Sequence, residues 1–233
     1  MATIAEIADL LQAAPMFSEL SDQDRGLVAK QMREVSLTPG QMLFARGDPG
    51  RSVYLVLEGR VRLSVVSSDG RELSYLHAGR GQLFGEIAAI DGGERSTDAK
   101  AVSHVKLMQL DAPSLMRLFE VNPTFALACC RFLCRRLRGT NTTLESVALH
   151  PIEVRVARYL LSQVKRGEGP PPAKARITGL LSQSELALLI GASRPRVNLA
   201  FQLLEDMGAI QRDGDGMHCM LKELEDIAQT VND

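Results

Sequence analysis

Residues 84–97 read Phe-Gly-Glu-Ile-Ala-Ala-Ile-Asp-Gly-Gly-Glu-Arg-Ser-Thr, which places one arginine, two glutamates and several small residues inside a strand-rich region. Arg95 supplies a planar cationic fork, Ser96 supplies a hydroxyl donor, and a helix beginning near Gly85 would add backbone N–H donors, a combination that suits phosphate. Glu86 would repel phosphate, so we expect it to face a ribose hydroxyl instead. The stretch therefore predicts a pocket for a small phosphorylated ligand. The alternative is a surface hairpin in which Glu86 and Arg95 simply pair.

Short runs with a period of two surround this stretch from about Val35 onward, and glycine-containing turns separate them. They predict strands at residues 42–44, 52–56, 61–66, 73–76 and 105–110. Helical periodicity at residues 4–11 and 22–32 precedes them, with Ser21 as the cap of the second helix. Several short strands with regular turns are typical of a β-barrel or jelly roll.

The composition of the 233 residues fits two modest folded domains, because 45% are hydrophobic and 24% charged. It indicates neither disorder nor membrane insertion. The formal net charge of −1 attracts no polyanion as a whole, so any nucleic-acid binding must come from a local basic patch.

The cysteines lack the paired CxxC spacing of a zinc site, and no secretory signal peptide is recognised ahead of them. They are Cys129, Cys130, Cys134 and Cys219. We therefore expect no metal, small-hydrophobe packing within helices, and a reduced cytoplasmic setting.

A long helical pattern follows Pro113, breaks near residues 122–123 and runs to about Leu149, where Pro151 ends it. It carries a heptad-spaced stripe: Leu133, Leu137, Thr140, Leu144 and Val147. This spacing favours a parallel two-helix dimer interface. The alternative is one helix packed on its own barrel.

Residues 181–204 carry a second motif. Ser182 and Glu185 form a capping box, Gly191 permits a left-handed turn, Ser193 caps the next helix and Pro195 fits in that helix's first turn. The pattern predicts a helix-turn-helix. A small helical interaction module is the alternative.

Two arginines, Arg194 and Arg196, occupy the first turn of the second helix, where base edges in a major groove are read. Residues 205–221 fit a winged extension, in which Arg212 would contact phosphate. The predicted DNA-contacting residues are Ser182, Ser193, Arg194, Arg196, Asn198 and Gln202.

Residues 84–97 resemble the phosphate-binding cassette of cyclic-nucleotide-binding domains, and the order of parts resembles the Crp/Fnr family of bacterial transcription regulators. The resemblance implies an α+β fold with three parts. Residues 1–121 would form a cyclic-nucleotide-binding β-barrel (jelly roll), residues 122–150 a dimerisation helix and hinge, and residues 151–233 a winged helix-turn-helix DNA-binding domain.

The same resemblance implies roles for the cassette. Arg95 and Ser96 would hold the cyclic phosphate, Glu86 would take the ribose 2′-hydroxyl, and the backbone of Gly85 would approach the ligand. Flanking residues of the predicted ligand site are Ile87, Ala88 and Thr97.

On the long helix, the resemblance places Thr140 where a threonine contacts the purine and Asn141 where serine is usual. Arg136 would lie near Glu86 and lock its carboxylate. Because asparagine both donates and accepts, and Ser96 offers a hydroxyl, cAMP is the favoured effector and cGMP the alternative.

The partners implied by the resemblance are a second copy of the chain, double-stranded DNA with a near-palindromic site, and RNA polymerase. The recognition helix departs from the catabolite-activator pattern, since Pro195 replaces a glutamate and Leu199 an arginine. We therefore expect a different operator.

Other interpretations stay open. In a gas sensor, His77 or His104 would be a haem ligand. In a ligand-independent DNA-binding protein, the barrel would be vestigial and would bind no effector. The barrel would otherwise regulate an enzyme, but GxSxG, HExxH and GxxxxGK[ST] motifs are missing from the sequence, so we expect no enzyme.

Overall fold

The computed structural model describes residues 3–164, 173–213 and 216–229. The chain forms two compact units, Met1–Thr140 and Asn141–Asp233, and the boundary between them falls inside the longest helix. The division into three parts at residues 121 and 150 stays a prediction. The predicted loop at residues 165–172 lies outside the described residues.

The first unit begins with two helices and continues into strands. The helices are α1 (Ile4–Ala13), α2 (Asp22–Gln31), α3 (Glu86–Asp91), α4 (Ala112–Val121) and α5 (Pro123–Leu149), the last of which contains the unit boundary. The strands are β1 (Arg33–Leu37), β2 (Met42–Phe44), β3 (Ser52–Glu58), β4 (Val61–Val66), β5 (Glu72–Ala78), β6 (Leu83–Phe84), β7 (Asp98–Ala101) and β8 (Val105–Asp111).

In its described residues, the second unit contains helices and a small three-stranded sheet. Its elements after α5 are α6 (Ile152–Gln163), β9 (Lys174–Thr178), α7 (Gln183–Ile190), α8 (Arg194–Asp206), β10 (Ile210–Asp213), β11 (Gly216–Met220) and α9 (Leu221–Gln229).

The described strands of the first unit form two four-stranded antiparallel sheets, in the orders β1-β8-β3-β6 and β2-β7-β4-β5. Strands that alternate between two such sheets define a jelly roll, so the predicted barrel is confirmed. A buried apolar cluster fills the space between the sheets and includes Phe44, Val56 and Phe84.

Strand β3 shows how the helices attach to this sandwich. Its side chains are buried on both faces from Ser52 to Leu57, although a strand at a wet surface would bury only alternate residues. Val53, Leu55 and Leu57 belong to the cluster shared with α1, α2, α4 and α5, while Tyr54 and Val56 face the inside of the sandwich. The sheet is thus covered by helices on one side and by the second sheet on the other.

The second unit has its own core. Side chains of α6, α7, α8 and α9 pack together with those of the sheet β10-β11-β9, as seen among residues 152–164, 173–213 and 216–229. Helix α8 contributes Val197, Ala200, Phe201 and Leu204, which share one face. The opposite face of α8 is therefore turned away from the core.

Local signals predicted several elements correctly. Ser21 caps α2 by accepting from the N–H of Asp24, and the helical pattern breaks between α4 and α5 at Asn122, as expected. Strands β1, β6, β7 and β9 and helix α9 were not among the predicted elements. Among the described residues, no helix combines the length and the apolar character that a membrane crossing needs.

Candidate anion site and helix-turn-helix face

Gly85 joins the end of β6 to the start of α3 and is conformationally required there. Its φ is +81°, in the left-handed region that glycine adopts without strain. A Cβ at this position would lie 2.8 Å from Nη1 of Arg95 and 3.2 Å from the carbonyl oxygen of Ser52. The absence of a side chain therefore makes room for the guanidinium of Arg95 against the backbone.

Arg95 is buried, with 5% of its surface exposed. Its Nη1 donates to the carbonyl oxygens of Ser52 and Gly85, both at 2.9 Å. The guanidinium carbon lies 4.2 Å from the ring centroid of Phe44 and 5.6 Å from that of Tyr54. Aromatic faces and backbone carbonyls thus hold the cation in one orientation.

The electrostatics of Arg95 favour an incoming anion. Its hydrogen-bond partners are neutral carbonyls, and its Nε, although buried, has no hydrogen-bond partner among the described residues. Burial lowers the pKa of the guanidinium, and the side chains of Tyr54, Asp48 and Glu86, in that order, only partly oppose this shift. A buried cation with an unused donor is costly, and an anionic oxygen would relieve both costs.

Glu86 opens α3 and is almost completely buried, with 1% of its surface exposed. Its Oε1 lies 3.2 Å from Nε of Arg136. The two groups form an ion pair without the alignment of a hydrogen bond, since Oε1 makes no hydrogen bond in the described part of the chain. Nη1 of Arg136 also donates to the carbonyl oxygen of Leu83 at 3.3 Å. The predicted approach of Arg136 to Glu86 is therefore present, and Glu86 does not pair with Arg95 as the surface-hairpin alternative requires.

The rest of the predicted cassette lies around this pair. Ala88 is buried so close to Gly50 that a Cβ on Gly50 would lie 2.0 Å from the Cβ of Ala88. Ile87 and Ser96 are exposed, and Thr97 is half-buried. Their contacts with a ligand stay a prediction.

Thr140 and Asn141 are exposed residues of α5. The Thr140 hydroxyl donates to the carbonyl oxygen of Arg136 at 3.1 Å, a bond back to the preceding turn. Their predicted contact with a purine stays a prediction.

The heptad-spaced stripe of α5 is apolar except at Thr140, and its middle residues, from Leu137 to Leu144, are open to solvent in the single chain. Leu133 packs against the core of the first unit, whereas Leu137 and Leu144 are 62% and 67% exposed. Packing of α5 on its own barrel therefore explains the start of the stripe and leaves the two later leucines uncovered.

The two histidines considered as haem ligands, His77 and His104, lie outside residues 84–97, which carry Arg95 and Glu86. His77 is on β5, with Nδ1 at 3.4 Å from the hydroxyl of Ser74, and His104 is exposed in the turn before β8.

The predicted helix-turn-helix is formed by α7 and α8. The Ser182 hydroxyl accepts from the N–H of Glu185 at 3.2 Å, and Gly191 ends α7 at φ +68°. Ser193 occupies the N-cap position of α8, but its side chain makes no capping hydrogen bond within the described residues. That part of the prediction is wrong. Pro195 removes the second N–H of α8 and leaves that of Arg196, the third residue, which the Ser193 hydroxyl does not bond.

The face of α8 that points away from the core carries the predicted base-reading residues. Arg194, Arg196 and Gln202 are exposed. Asn198 is half-buried, and its Oδ1 accepts from Nε2 of Gln183 at 3.2 Å. Sequence reasoning missed Gln183, whose amide fixes the orientation of Asn198 across the two helices.

The wing is the hairpin of β10 and β11, as predicted. Arg212, the predicted phosphate contact, has its Nε 3.1 Å from Oε1 of Glu205 and its guanidinium carbon 5.7 Å from the ring centroid of Phe201. The side chain is thus drawn toward the end of α8 in this structure.

Comparison with known proteins agrees with this arrangement. Residues 34–122 match the cyclic nucleotide-binding domain, and residues 154–229 match the Crp-like helix-turn-helix domain. The chain is 31% identical to the CRP-like cAMP-activated global transcriptional regulator of Mycobacterium tuberculosis, over 88% of this chain and 92% of that protein. It is 30% identical to the cyclic AMP receptor protein of Thermus thermophilus, over 86% of this chain and 90% of that one. The fold resembles that of FixK2 from Bradyrhizobium japonicum, with a TM-score of 0.75 at 18% identity, over 86% of this chain and 99% of that chain.

A cyclic nucleotide-binding domain followed by a Crp-like helix-turn-helix defines a class of DNA-binding transcription regulators. This chain belongs to the Crp/Fnr family of that class, as its sequence predicted.

Proposed function

We propose that this protein is a dimeric transcription regulator whose affinity for DNA responds to cAMP, with cGMP as the competing candidate effector. The observation that carries the proposal is the buried guanidinium of Arg95, which keeps one donor unused beside the glycine-lined turn at Gly85. Two relatives that cover most of the chain carry cAMP in their names, which supports the choice of purine.

The roles of the side chains follow from their chemistry. A cyclic phosphate carries one negative charge and presents two exocyclic oxygens, which suit Nε of Arg95 and the exposed hydroxyl of Ser96. The carboxylate of Glu86 is held by Arg136 and keeps acceptor capacity for a ribose hydroxyl. The iron of haem would need an axial ligand such as histidine, which none of these side chains supplies.

The dimer is proposed from the exposed stripe of α5. Leu137 and Leu144 are large apolar side chains in a heptad register, and a second copy of α5 would cover them. Two reading heads on a two-fold axis require a near-palindromic DNA site, with half-sites about 34–36 Å apart. RNA polymerase is the proposed downstream partner of the DNA-bound dimer.

A nucleotide that binds better to the DNA-competent state raises the affinity of the protein for DNA. By linkage, DNA raises the affinity for the nucleotide by the same factor. A regulator of this kind therefore shows reciprocal affinities, whereas a ligand-independent DNA binder does not.

The test is isothermal titration of the purified protein with cAMP and cGMP separately, beside Arg95→Ala and the exposed control Arg33→Ala. We expect cAMP binding in the wild type and in Arg33→Ala. Arg95→Ala should weaken it roughly 10- to 150-fold, which corresponds to about 1.5–3 kcal/mol for a hydrogen bond to a charged group. Circular dichroism shows whether Arg95→Ala folds, and Arg95→Lys, which keeps the charge and loses the fork, should fall between the two.

Binding of cGMP and not of cAMP would make cGMP the effector, and the proposed nucleotide-dependent DNA binding would stand. Binding of neither nucleotide by the folded wild type would overturn the proposed effector. DNA affinity unchanged by nucleotide and by Arg95→Ala would instead identify a ligand-independent DNA binder.

A further inference from the structure

An apolar side chain stands at the middle of the DNA-facing side of α8. Val197, Ala200, Phe201 and Leu204 bury one face of this helix in the core of the second unit. At 3.6 residues per turn, Leu199 falls on the opposite face, and it is 66% exposed. Core packing therefore does not account for a leucine at this position.

The neighbours of Leu199 indicate what covers it. Arg194 and Arg196 are exposed one turn nearer to the start of the helix, and Pro195, also exposed, precedes Leu199 by one turn on the same side. Cations around an apolar centre complement the phosphates that line a major groove, and the first turns of a recognition helix lie nearest to the bases.

Polar readout on this face falls to Arg196 and Gln202, which are exposed three residues before and after Leu199, and the side chains next to Leu199 add little to it. Asn198 uses its Oδ1 to accept from Gln183, and proline and leucine have no side-chain donor or acceptor. The C5 methyl of thymine is the apolar group that base pairs present in the major groove, and apolar side chains contact it.

We propose that Leu199 reads a thymine in each half-site of the operator through van der Waals contact with its C5 methyl group. The proposal rests on the proposed DNA-binding function and names the residue that determines the sequence read at the centre of α8. Cytosine and guanine at that position would place polar edges against the leucine, which cannot satisfy them.

The test first selects a high-affinity duplex from a random library in the presence of saturating cAMP. Each thymine of the selected site is then replaced, in both half-sites together, by deoxyuridine, which differs only by the missing methyl. Fluorescence anisotropy gives the affinity of every duplex for the wild type, for Leu199→Ala and for the control Met207→Ala. Met207 is an exposed apolar residue at the far end of α8.

One thymine position should be sensitive in the wild type. Burial of one methyl corresponds to about a four-fold change in affinity, so loss of both half-site methyls should weaken binding by about 15-fold. Leu199→Ala should bind the thymine and deoxyuridine duplexes almost equally. Met207→Ala should keep the wild-type difference.

The outcomes separate this inference from the proposed function. Failure to select any specific duplex with cAMP, and again with cGMP in its place, overturns the proposed DNA-binding function and the inference with it. A selected duplex that tolerates deoxyuridine at every position overturns the inference alone. So does a deoxyuridine effect that persists undiminished in Leu199→Ala, because another side chain then reads the methyl.

Discussion

Replacement of Gly85 by alanine tests the geometry that holds Arg95. The alanine must adopt φ +81°, which costs about 1–2 kcal/mol for an L-residue. Its Cβ must also share space with Nη1 of Arg95 at 2.8 Å and the carbonyl oxygen of Ser52 at 3.2 Å. Both atoms belong to the hydrogen bond that orients the guanidinium, so alanine should push the cation out of place.

Gly70 provides the matched control, because its φ is +82° and a Cβ there would have nothing within 4 Å. Gly70→Ala should lower the free energy of unfolding only through the backbone strain at positive φ. Crowding in a packed site costs about 1–3 kcal/mol, so Gly85→Ala should lower the free energy of unfolding by that amount more than Gly70→Ala does. The smaller unfolded-state entropy of alanine is common to both variants and cancels.

Urea unfolding followed by circular dichroism measures the difference, with a separate transition fitted for each compact unit because such chains depart from two-state behaviour. Nucleotide titration of the same samples should show weaker cAMP binding in Gly85→Ala and unchanged binding in Gly70→Ala. Equal loss of stability in the two variants, with nucleotide affinity intact in both, would refute the claim that Gly85 makes room for Arg95.

Two further predictions concern the long helix and the thiols. Leu144→Glu should shift the protein toward monomer in sedimentation equilibrium, since each leucine withdrawn from an apolar interface costs about 1.5–3 kcal/mol; an unchanged association constant would remove this stripe from the interface. Burial raises the pKa of the Cys129 and Cys219 thiols to about 11, so at pH 8 both stay protonated and should resist alkylation, while the exposed Cys130 and Cys134 react first. Peptide mapping after brief treatment with iodoacetamide checks this order, which rapid labelling of Cys219 in the folded protein would contradict.

Strands with high strand propensity and flanking turn residues could be predicted from the sequence, and strands without these local features could not. Strands β2 and β4 match the predicted bounds, because their residues favour strands and turn residues flank them. Strand β7 reads Asp-Ala-Lys-Ala, which has little strand propensity. It is extended because it pairs with β2 on one side and β4 on the other, a long-range cause that local patterns do not contain.

Some residues of the candidate site could likewise be found from the sequence, and others only from the structure. Arg95 and Glu86 stand out in one short stretch, and the resemblance supplied Arg136. The aromatic rings that hold the Arg95 guanidinium are those of Phe44 on β2 and Tyr54 on β3, which precede Arg95 by 51 and 41 residues, and no spacing rule links them to the cassette. The sequence did not show that Ser193 would fail as a cap, since Asp111 caps α4 through the N–H of Ser114 although Pro113 precedes that residue, just as Pro195 precedes Arg196 in α8.

Comparison of Arg95 with Arg155, a half-buried arginine of the second unit, shows which property supports a ligand site. Burial lowers the pKa of Arg155 as it does that of Arg95, so the shift itself does not distinguish them. Arg155 donates from Nε to the carbonyl oxygen of His150 at 2.8 Å and from Nη1 to that of Ile190 at 3.0 Å, and its Nη2 bonds the carbonyl oxygen of Val147. All three nitrogens are thus used to join the end of α5 to the end of α7, which is a structural role. Arg95 is more deeply buried yet leaves Nε without a partner in the described chain. A fold tolerates such an unused donor where a ligand completes it, and this difference, more than burial or charge, supports Arg95 as the residue that senses the nucleotide.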